Sequence, residues 1–335
     1  MLWDLLDTIR PYLPYIIVPL CLNGLYHIVS RLIPGPHRKG ELNLRDRTVL
    51  ITGASGGLGR ALAFEFFSRG AKVILTARGV AKLEKLCAEL HKANQRFGWN
   101  NPHRAEFRYL DLSELANRTN AADDDDDNDN NGGGGLNELR ALAIDGRTID
   151  VLVNNAGVSN RGSCAATTLD IQRRVMEVNF FGAVSVTRAL LNALPDDGAI
   201  VSIGSLQSRV ALPYRSAYSA SKHAIQAFFD SLRGEKRELH VLVVNAGYIN
   251  TNFGASALNA DGEAVGGEDE NQRGGMAPET AARRVVDALV ARDTELVLAH
   301  ATHRMIIWLR VLAPNLLWWV LRRRAQKERG KAMGN

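Results

Sequence analysis

The feature that most constrains this chain is a regular alternation of β-branched runs with amphipathic stretches between residues 47 and 299. The first strand pattern, "RTVLIT", precedes the helical pattern "GRALAFEFFSRG", and "AKVILTAR" precedes "VAKLEKLCAELHKA". Later strand patterns are "AEFRYLDL", "IDVLVNNAG", "AIVSIGS", "HVLVVNAG" and "TELVLA", with helical patterns around Met176 and Phe228. Strands that alternate with helices form a parallel sheet covered on both faces. We therefore predict a doubly wound α/β domain that binds its ligands at the carboxyl ends of the strands.

A glycine-rich segment, "TGASGGLGR", follows the first strand directly. Gly53 allows a tight turn there. Gly57 and Gly59 let the backbone approach a pyrophosphate at the N-terminus of the next helix, whose free amides face the anion. A glycine cluster alone is weak evidence, but its position between a strand and a helix predicts a dinucleotide site.

The end of the second strand bears on which dinucleotide is bound. An acidic residue at this place favours NAD, whereas an arginine accommodates the 2′-phosphate of NADP. The sequence here reads Thr76, Ala77, Arg78, without an acid. This favours NADP(H) over NAD(H); the alternative is an exposed arginine without a cofactor contact.

A tyrosine and a lysine stand four positions apart in "SAYSASKHAIQAFFDSL". The apolar residues that follow recur at helical spacing, so Tyr218 and Lys222 share one face of a predicted helix. An ammonium beside a phenol favours the phenolate, so we expect Lys222 to lower the pKa of Tyr218. Tyr218 then becomes a candidate general acid and base. Taken alone, two residues at this spacing are more often a surface pair, so the rest of the chain must decide.

Taken together, these motifs closely resemble the short-chain dehydrogenase/reductase family. The ordered set is "TGASGGLG", the "DL" at Asp111, "NNAG" at Asn154 to Gly157, Asn179, Ser205, and "YSASK". The resemblance runs from about Arg47 to Ala299 and implies a Rossmann-type sheet. It also implies hydride transfer between a nicotinamide and a carbonyl or alcohol.

The resemblance assigns roles to individual residues. Tyr218 would donate or accept the proton. Lys222 would keep the pKa of Tyr218 in a suitable range and bind the nicotinamide ribose. Ser205 would bind the substrate oxygen, and Asn179 would hold a relay water or have only a structural role. Cofactor contacts would come from Gly53, Ser55, Gly57, Leu58, Gly59, Arg78, Asp111, Leu112, Asn155, Ala156, Gly157, Tyr218, Lys222, Ile249 and Thr251. Ala246 stands where the family usually has proline, which predicts a looser loop.

A finer resemblance concerns a membrane-anchored branch of the family that is regarded as similar to acyl- and alkyl-dihydroxyacetone phosphate reductases. It rests on "NRGSCAATTLDIQRRVMEVNFFG", "PYRSAYSASKHAIQAFFDSLRGE", "GYINTN" and the tail "LRVLAPNLLWWVLRRRAQKERGK". A phosphate substrate needs cations near the catalytic residues. Arg161, Arg209 and Arg215 are candidates, although each could be an ordinary surface arginine.

Both termini suggest contact with lipid. Residues 11–30 carry no formal charge, and about 20 apolar residues span a bilayer as a helix. Prolines, Asn23 and Gly24 interrupt this segment, so a buried or interfacial helix is the alternative to an anchor. The basic flank after it predicts a cytosolic folded domain. Near the C-terminus, Trp318 and Trp319 precede a basic cluster, which suits an interfacial helix or a helix packed on the domain.

We divide the chain into an anchor with its basic flank (1–38), a catalytic domain (39–299) and an amphipathic tail (300–335). Residues 120–135 are acidic and glycine-rich and are expected to be a disordered insert. Residues 254–275 are expected to be a substrate lid.

The expected partners are a lipid-like substrate and membrane lipid, and the expected assembly is a homodimer or tetramer. The expected location is the membrane of the endoplasmic reticulum or peroxisome. The scattered cysteines show no metal or redox spacing. We therefore expect no metal site. No nucleic-acid motif is present, so we also expect no nucleic acid. A retinoid or steroid reductase and a non-catalytic nucleotide-binding scaffold are the alternative functions.

Overall fold

The computed structural model describes residues 13–32, 40–116, 139, 148–267 and 270–333. The chain forms two compact units, residues 1–40 and 41–335. The predicted acidic insert at 120–135 lies outside the described residues. The predicted domain boundaries and the lid stay predictions.

The second unit is built on one parallel sheet of seven strands in the order β3-β2-β1-β4-β5-β6-β7. The strands are β1 (Thr48–Thr52), β2 (Lys72–Ala77), β3 (Glu106–Tyr109), β4 (Val151–Asn154), β5 (Ala199–Ser205), β6 (His240–Ala246) and β7 (Glu295–Leu298). Each lies within the strand pattern predicted for it. The doubly wound α/β fold is therefore confirmed.

Helices in the first half of the chain are α1 (Leu13–Leu32), α2 (Gly57–Ser68), α3 (Val80–Phe97) and α4 (Leu112–Ala116). The later ones are α5 (Leu169–Met176), α6 (Gly182–Leu190), α7 (Ser216–Glu235), α8 (Glu270–Arg273), α9 (Pro278–Val290), α10 (Ala301–Leu312) and α11 (Pro314–Met333). A π-helical turn, Glu177–Phe181, joins α5 to α6, and a 3₁₀ turn, Leu206–Ser208, follows β5.

Alternate side chains of the five central strands, β2, β1, β4, β5 and β6, enter two separate cores. Val49 and Ile51 of β1 pack with α2, α3 and α9 on one face, while Leu50 packs with α6 and α7 on the other. This division follows from the two-residue period of a strand, and burial on both faces explains why the strands read as continuous apolar runs. Both cores hold the sheet rigidly beneath the loops at its carboxyl edge.

The strand order reverses between β1 and β4, which are neighbours in the sheet although β2 and β3 lie between them in the chain. The connections that follow β1 and β4 run to opposite faces of the sheet, so a crevice opens between the carboxyl ends of these two strands. The turn after β1 contains Gly53, and the loop after β4 begins at Asn155. The fold thus places the glycine-rich segment and "NNAG" at the same crevice.

The first unit contains α1, a helix of 20 residues with Pro19 in its interior. Among the described residues, no helix is both long and apolar enough to cross a membrane. The predicted spanning anchor therefore finds no support there. Within α1, Pro19, Asn23, Gly24 and the C-terminal Arg31 interrupt the apolar run.

Candidate functional site

A cavity of about 1000 Å³ lies along the carboxyl edge of the sheet, from the end of β2 to the start of α7. It is lined by every residue predicted to contact the cofactor: Gly53, Ser55, Gly57, Leu58, Gly59, Arg78, Asp111, Leu112, Asn155, Ala156, Gly157, Tyr218, Lys222, Ile249 and Thr251. Ser205 lines it too, whereas Asn179 does not. The predicted site residues therefore converge, with that one exception.

The glycine-rich turn fits closely against its surroundings. A Cβ atom at Gly59 would lie 2.3 Å from the carbonyl oxygen of Gly53, and one at Gly53 would lie 2.7 Å from Cα of Ala156. Gly53 also has a φ of +64°, which favours glycine. Gly56 differs, because a Cβ there would meet nothing within 4 Å. The turn leads into α2, whose first amides face the cavity.

The loop after β4 holds this turn in place. The side chain of Asn155 donates hydrogen bonds to the carbonyl oxygens of Thr52 (2.9 Å) and Gly53 (3.2 Å). In return, the hydroxyl of Thr52 accepts from the backbone amides of Asn155 (3.0 Å) and Ala156 (3.1 Å). These four bonds join the two halves of the sheet at the crevice. Asn155 therefore positions the turn as well as lining the cavity.

Two positively charged side chains line the cavity next to the end of β2. Arg78 is exposed at the end of the strand and Lys82 follows in the first turn of α3, and both line the cavity. The N-cap of α3 is Gly79, and its first turn carries no acid. Free amides and the helix dipole add positive potential at this point. Lys82 was not predicted, although its place one turn after Arg78 could have indicated it.

Asp111 and Leu112 line the cavity at the end of β3. The Asp111 carboxylate accepts from the backbone amide of Ser113 at 3.0 Å and from its hydroxyl at 2.7 Å. The carboxylate is thereby fixed at the start of α4. A contact to an adenine stays a prediction.

At the other end of the cavity, Ser205 closes β5, and Tyr218 and Lys222 lie in the first turns of α7. Tyr218 is held by the side chain of Asn160, which accepts from its backbone amide at 2.9 Å. The Tyr218 and Ser205 side chains are hydrogen-bonded to each other. Nζ of Lys222 donates to the carbonyl oxygen of Ile203 at 2.8 Å and lies 5.8 Å from the centre of the Tyr218 ring. The structure therefore brings the predicted acid/base group together.

The pKa of Tyr218 differs from the expectation. Burial raises it to about 12, although the hydrogen bond with Ser205 and the charge of Arg215 act in the opposite direction. Burial also lowers the pKa of Lys222 to about 8. The expected lowering of the Tyr218 pKa by Lys222 was wrong for this structure, because desolvation of the phenolate outweighs the nearby charges. Tyr218 keeps its proton at neutral pH, as a proton donor must.

Asn179 is buried in the π-helical turn, beside the cavity rather than in its wall. Its side-chain oxygen accepts from the amide of Val158 at 2.7 Å. Its side-chain nitrogen donates to the carbonyl oxygen of Val158 (2.8 Å) and to the hydroxyl of Ser221 (2.9 Å). Asn179 therefore fastens the loop after β4 to α7. Water relay by Asn179 stays a prediction.

The loop after β6 forms the opposite wall. Ile249 is buried, and the methyl group of Thr251 would lie 3.3 Å from a Cβ at Gly57. Phe253 was not predicted; its ring centre lies 6.0 Å from that of Tyr218. Gly254 and Gln272, from the predicted lid, are joined by a 2.7 Å hydrogen bond.

A second, smaller cavity of about 90 Å³ adjoins Ser205 and Tyr218. Arg161 and Arg215, two of the three predicted phosphate ligands, line it. Arg209 does not, because its guanidinium pairs with Glu295 at 2.8 Å. A third arginine, Arg324 of α11, takes part instead. Nothing in the local sequence indicated it, since only the tertiary packing of the tail brings it there.

The main cavity fits a nicotinamide dinucleotide. Its volume of about 1000 Å³ is at the upper end for cofactor sites. The close-packed Gly53–Gly59 turn leaves backbone amides at the start of α2 for a pyrophosphate. Arg78 and Lys82 lie at the β2 end of the cavity, and Tyr218 and Lys222 lie at the far end.

Comparison with known proteins gives one family. The profile of the short chain dehydrogenase family matches residues 47–112 and 139–261. The chain is 38% identical over 329 residues to a dehydrogenase/reductase SDR family protein 7-like of Anopheles gambiae, covering 97% of this chain and 95% of the relative. It is 36% identical over 321 residues to dehydrogenase/reductase SDR family member 7B of Mus musculus, covering 95% and 91%.

Solved structures share the fold. A short-chain dehydrogenase from Burkholderia cenocepacia in complex with NADP aligns with a TM-score of 0.63 and 23% identity, covering 84% of this chain and 99% of the other. A Beutenbergia cavernae structure with bound NADP at low occupancy aligns with a TM-score of 0.61 and 27% identity, covering 78% and 97%.

The fit of the glycine-rich turn can be tested with a matched pair of substitutions. We expect Gly59→Ala to weaken dinucleotide binding at least tenfold and to destabilise the protein by about 1–3 kcal/mol, because the added methyl group collides with the Gly53 carbonyl. Gly234→Ala on α7 is the control, since its methyl group would meet nothing within 4 Å and Gly234 does not line the cavity. NADPH titration by fluorescence and urea unfolding measure both effects. Equal behaviour of the two variants would contradict the assignment.

Proposed function

Because the chain belongs to the short-chain dehydrogenase/reductase family and is an oxidoreductase, we propose that it uses NADPH to reduce the ketone of a lipid substrate. The observation that carries this proposal is the group of Ser205, Tyr218 and Lys222 at one end of a dinucleotide-sized cavity. Tyr218 is protonated at neutral pH and can therefore give the proton that the product oxygen needs in a reduction.

The proposed mechanism assigns one task to each side chain. When bound, the nicotinamide supplies the hydride to the ketone carbon. Tyr218 gives its phenolic proton to the developing alkoxide, and the Ser205 hydroxyl donates a hydrogen bond to the same oxygen. Lys222 carries positive charge below its pKa of about 8, which stabilises negative charge on Tyr218 as the proton leaves.

The first candidate substrate is 1-acyl- or 1-alkyl-dihydroxyacetone phosphate. The arginines beside Ser205 and Tyr218 in the small cavity support an anionic group. Phe253 and Leu258, which line the larger cavity near Tyr218, support a hydrocarbon part. Those apolar residues would equally receive a retinoid or a steroid, which are the alternative substrates. A cofactor-binding scaffold without turnover is the alternative function.

The enzymatic reading predicts that Tyr218→Phe loses turnover but keeps cofactor affinity. We expect the rate of NADPH oxidation with 1-palmitoyl-dihydroxyacetone phosphate to fall by roughly 10²–10⁴, because the proton donor is removed. Retinal and a ketosteroid are assayed in parallel to identify the substrate class.

Tyr214→Phe is the control for that change. It removes the hydroxyl of a neighbouring tyrosine that, among the described residues, donates to the backbone oxygen of Ala325 at 3.4 Å, and it should retain the wild-type rate. Undiminished turnover in Tyr218→Phe would refute the role of Tyr218. A wild-type protein that binds NADPH but reduces none of the three lipids would favour the scaffold.

NADP preference is supported by Arg78, Lys82 and the uncapped N-terminus of α3. We expect Arg78→Ala to weaken NADPH binding about tenfold or more while NADH binding changes little, because only NADPH carries the 2′-phosphate. Lys72→Ala, at the other end of β2, is the control. A uniform loss for both nucleotides, or none, would remove Arg78 from the site.

Contact with membrane lipid is supported by the tail helices. Trp308, Val311 and Trp319 are 61%, 72% and 50% exposed. Exposed cations accompany these apolar side chains, and the guanidinium of Arg323 lies 3.8 Å from the ring centre of Trp319. Tryptophan beside arginine is typical of helices that lie in the interface of an anionic bilayer.

A vesicle flotation assay tests this contact on residues 41–335, the compact unit that carries the tail. We expect binding to vesicles that contain phosphatidylserine, and weaker binding when Trp308 and Trp319 are both changed to alanine. Phe97→Ala is the control, because Phe97 is also an exposed aromatic residue (60%) but lies on α3. The same loss in both proteins, or no binding to begin with, would contradict an interfacial tail.

The remaining expectations extend this proposal. A cytosol-facing location on the endoplasmic reticulum or peroxisome and a homodimeric or tetrameric state stay predictions, as does lid movement of residues 254–275.

A further inference from the structure

The small cavity beside the acid/base group has an unusual charge pattern. Arg161, Arg215 and Arg324 line it, with His303 nearby, and none of the lining residues in the described part of the chain is an aspartate or glutamate. The volume of about 90 Å³ suits a small polar group rather than a lipid chain. Three guanidinium groups around one cavity create a potential that attracts an anion.

Arg161 and Arg215 come from two loops that are tied together. The amide of Arg161 donates to the carbonyl oxygen of Leu258 at 2.7 Å, and the amide of Gly162 donates to that of Tyr214 at 3.0 Å. A Cβ at Gly254 would lie 2.7 Å from Nη2 of Arg161, so this guanidinium reaches the segment after β6. Arg215 is only 9% exposed, and its charge lowers the pKa of Tyr218. Both arginines are therefore fixed close to the reacting group.

Arg324 reaches the cavity from α11, more than a hundred residues along the chain from Tyr218. Leu317 and Leu321, which are buried against Val210, precede it on the same helix face. Its Nη2 donates to the hydroxyl of Tyr248 at 3.0 Å, and its Nε donates to the carboxylate of Glu328 at 2.9 Å. The Tyr248 ring packs on that of His303, with centres 6.0 Å apart. Packing and hydrogen bonds thus hold the guanidinium in one orientation.

We propose that Arg324 is a specificity-determining residue that completes, with Arg161 and Arg215, a binding site for the phosphate monoester of the substrate. The proposal rests on the proposed lipid-ketone reduction and adds the chemical class of the headgroup and the residue that selects it. A phosphate monoester offers three oxygens and close to two negative charges, which match several guanidinium groups better than a carboxylate does. A retinoid or a steroid offers no anionic group to these three arginines.

Binding of a non-reacting probe tests the site independently of turnover. The full-length protein is saturated with NADPH, which fills the phosphate-binding parts of the main cavity, and is titrated with octyl phosphate and with octanol by calorimetry. We expect wild-type protein to bind octyl phosphate at least tenfold more tightly than octanol. Arg324→Ala should lose at least tenfold in affinity for octyl phosphate and nothing for octanol, because one charge-assisted contact is removed.

Two further variants keep the result interpretable. Arg322→Ala removes an exposed arginine of the same helix and should behave like wild type. Arg324→Met keeps the length of the side chain for packing and should lose phosphate affinity as alanine does. An equal loss for both probes would mean that Arg324 only holds α11 in place, and equal affinities of wild-type protein for the two probes would mean that no phosphate site exists. Either outcome overturns the proposal.

Failure of the proposed function gives a different result. If no lipid ketone is reduced but octyl phosphate binding still depends on Arg324, the phosphate site stands and the reaction is wrong. If 1-palmitoyl-dihydroxyacetone phosphate is reduced equally well by wild type and Arg324→Met, with unchanged KM, the reaction stands and the assignment of Arg324 is overturned.

Discussion

The whole site depends on one close contact, between the turn after β1 and the loop after β4. The two segments approach so tightly that a methyl group at Gly53 would collide with Ala156. Four hydrogen bonds between Thr52, Gly53, Asn155 and Ala156 maintain this approach. Because the strands beneath are buried on both faces, the contact is carried by a rigid base. The glycine-rich end of the cavity and the acid/base group at its far end are both positioned by this contact.

The acid/base group shows how burial and charge compete. A lysine one helical turn from a tyrosine suggests a lowered tyrosine pKa, yet desolvation raises it and leaves Lys222 with a lowered pKa of about 8. Both shifts disfavour charge in the same enclosed space, as expected where water is excluded. The neutral phenol of Tyr218 can therefore give a proton. The positive charge that assists this step is that of Lys222, whose lowered pKa of about 8 lies close to neutral pH.

Much of the fold and of the cofactor site could be predicted because the information is local. Each predicted feature lies within a short stretch of sequence: the β-branched runs, the glycine-rich turn, Arg78 and the Tyr218–Lys222 spacing. The local geometry of these stretches follows from the periods of strands and helices and from the conformational freedom of glycine. The features that could not be predicted depend on packing between distant segments. Arg209 lies next to the catalytic strand but turns toward Glu295, whereas Arg324 lies far away and turns inward. The helical pattern around Met176 does not indicate the π-helical turn that directs the side chain of Asn179 onto the backbone of Val158.

The position of α11 has a consequence for how such proteins diverge. The match to the family profile ends at residue 261, while Arg324, His303 and Ile306 all lie beyond it. Part of the pocket next to Tyr218 is thus formed by α10 and α11. These helices add no strand to the sheet, and none of their described residues lines the main cavity. Descendants of one ancestor could exchange this tail and acquire a different ligand while the sheet, the glycine-rich turn and the acid/base group remain the same. Two chains with matching profiles need not share a substrate.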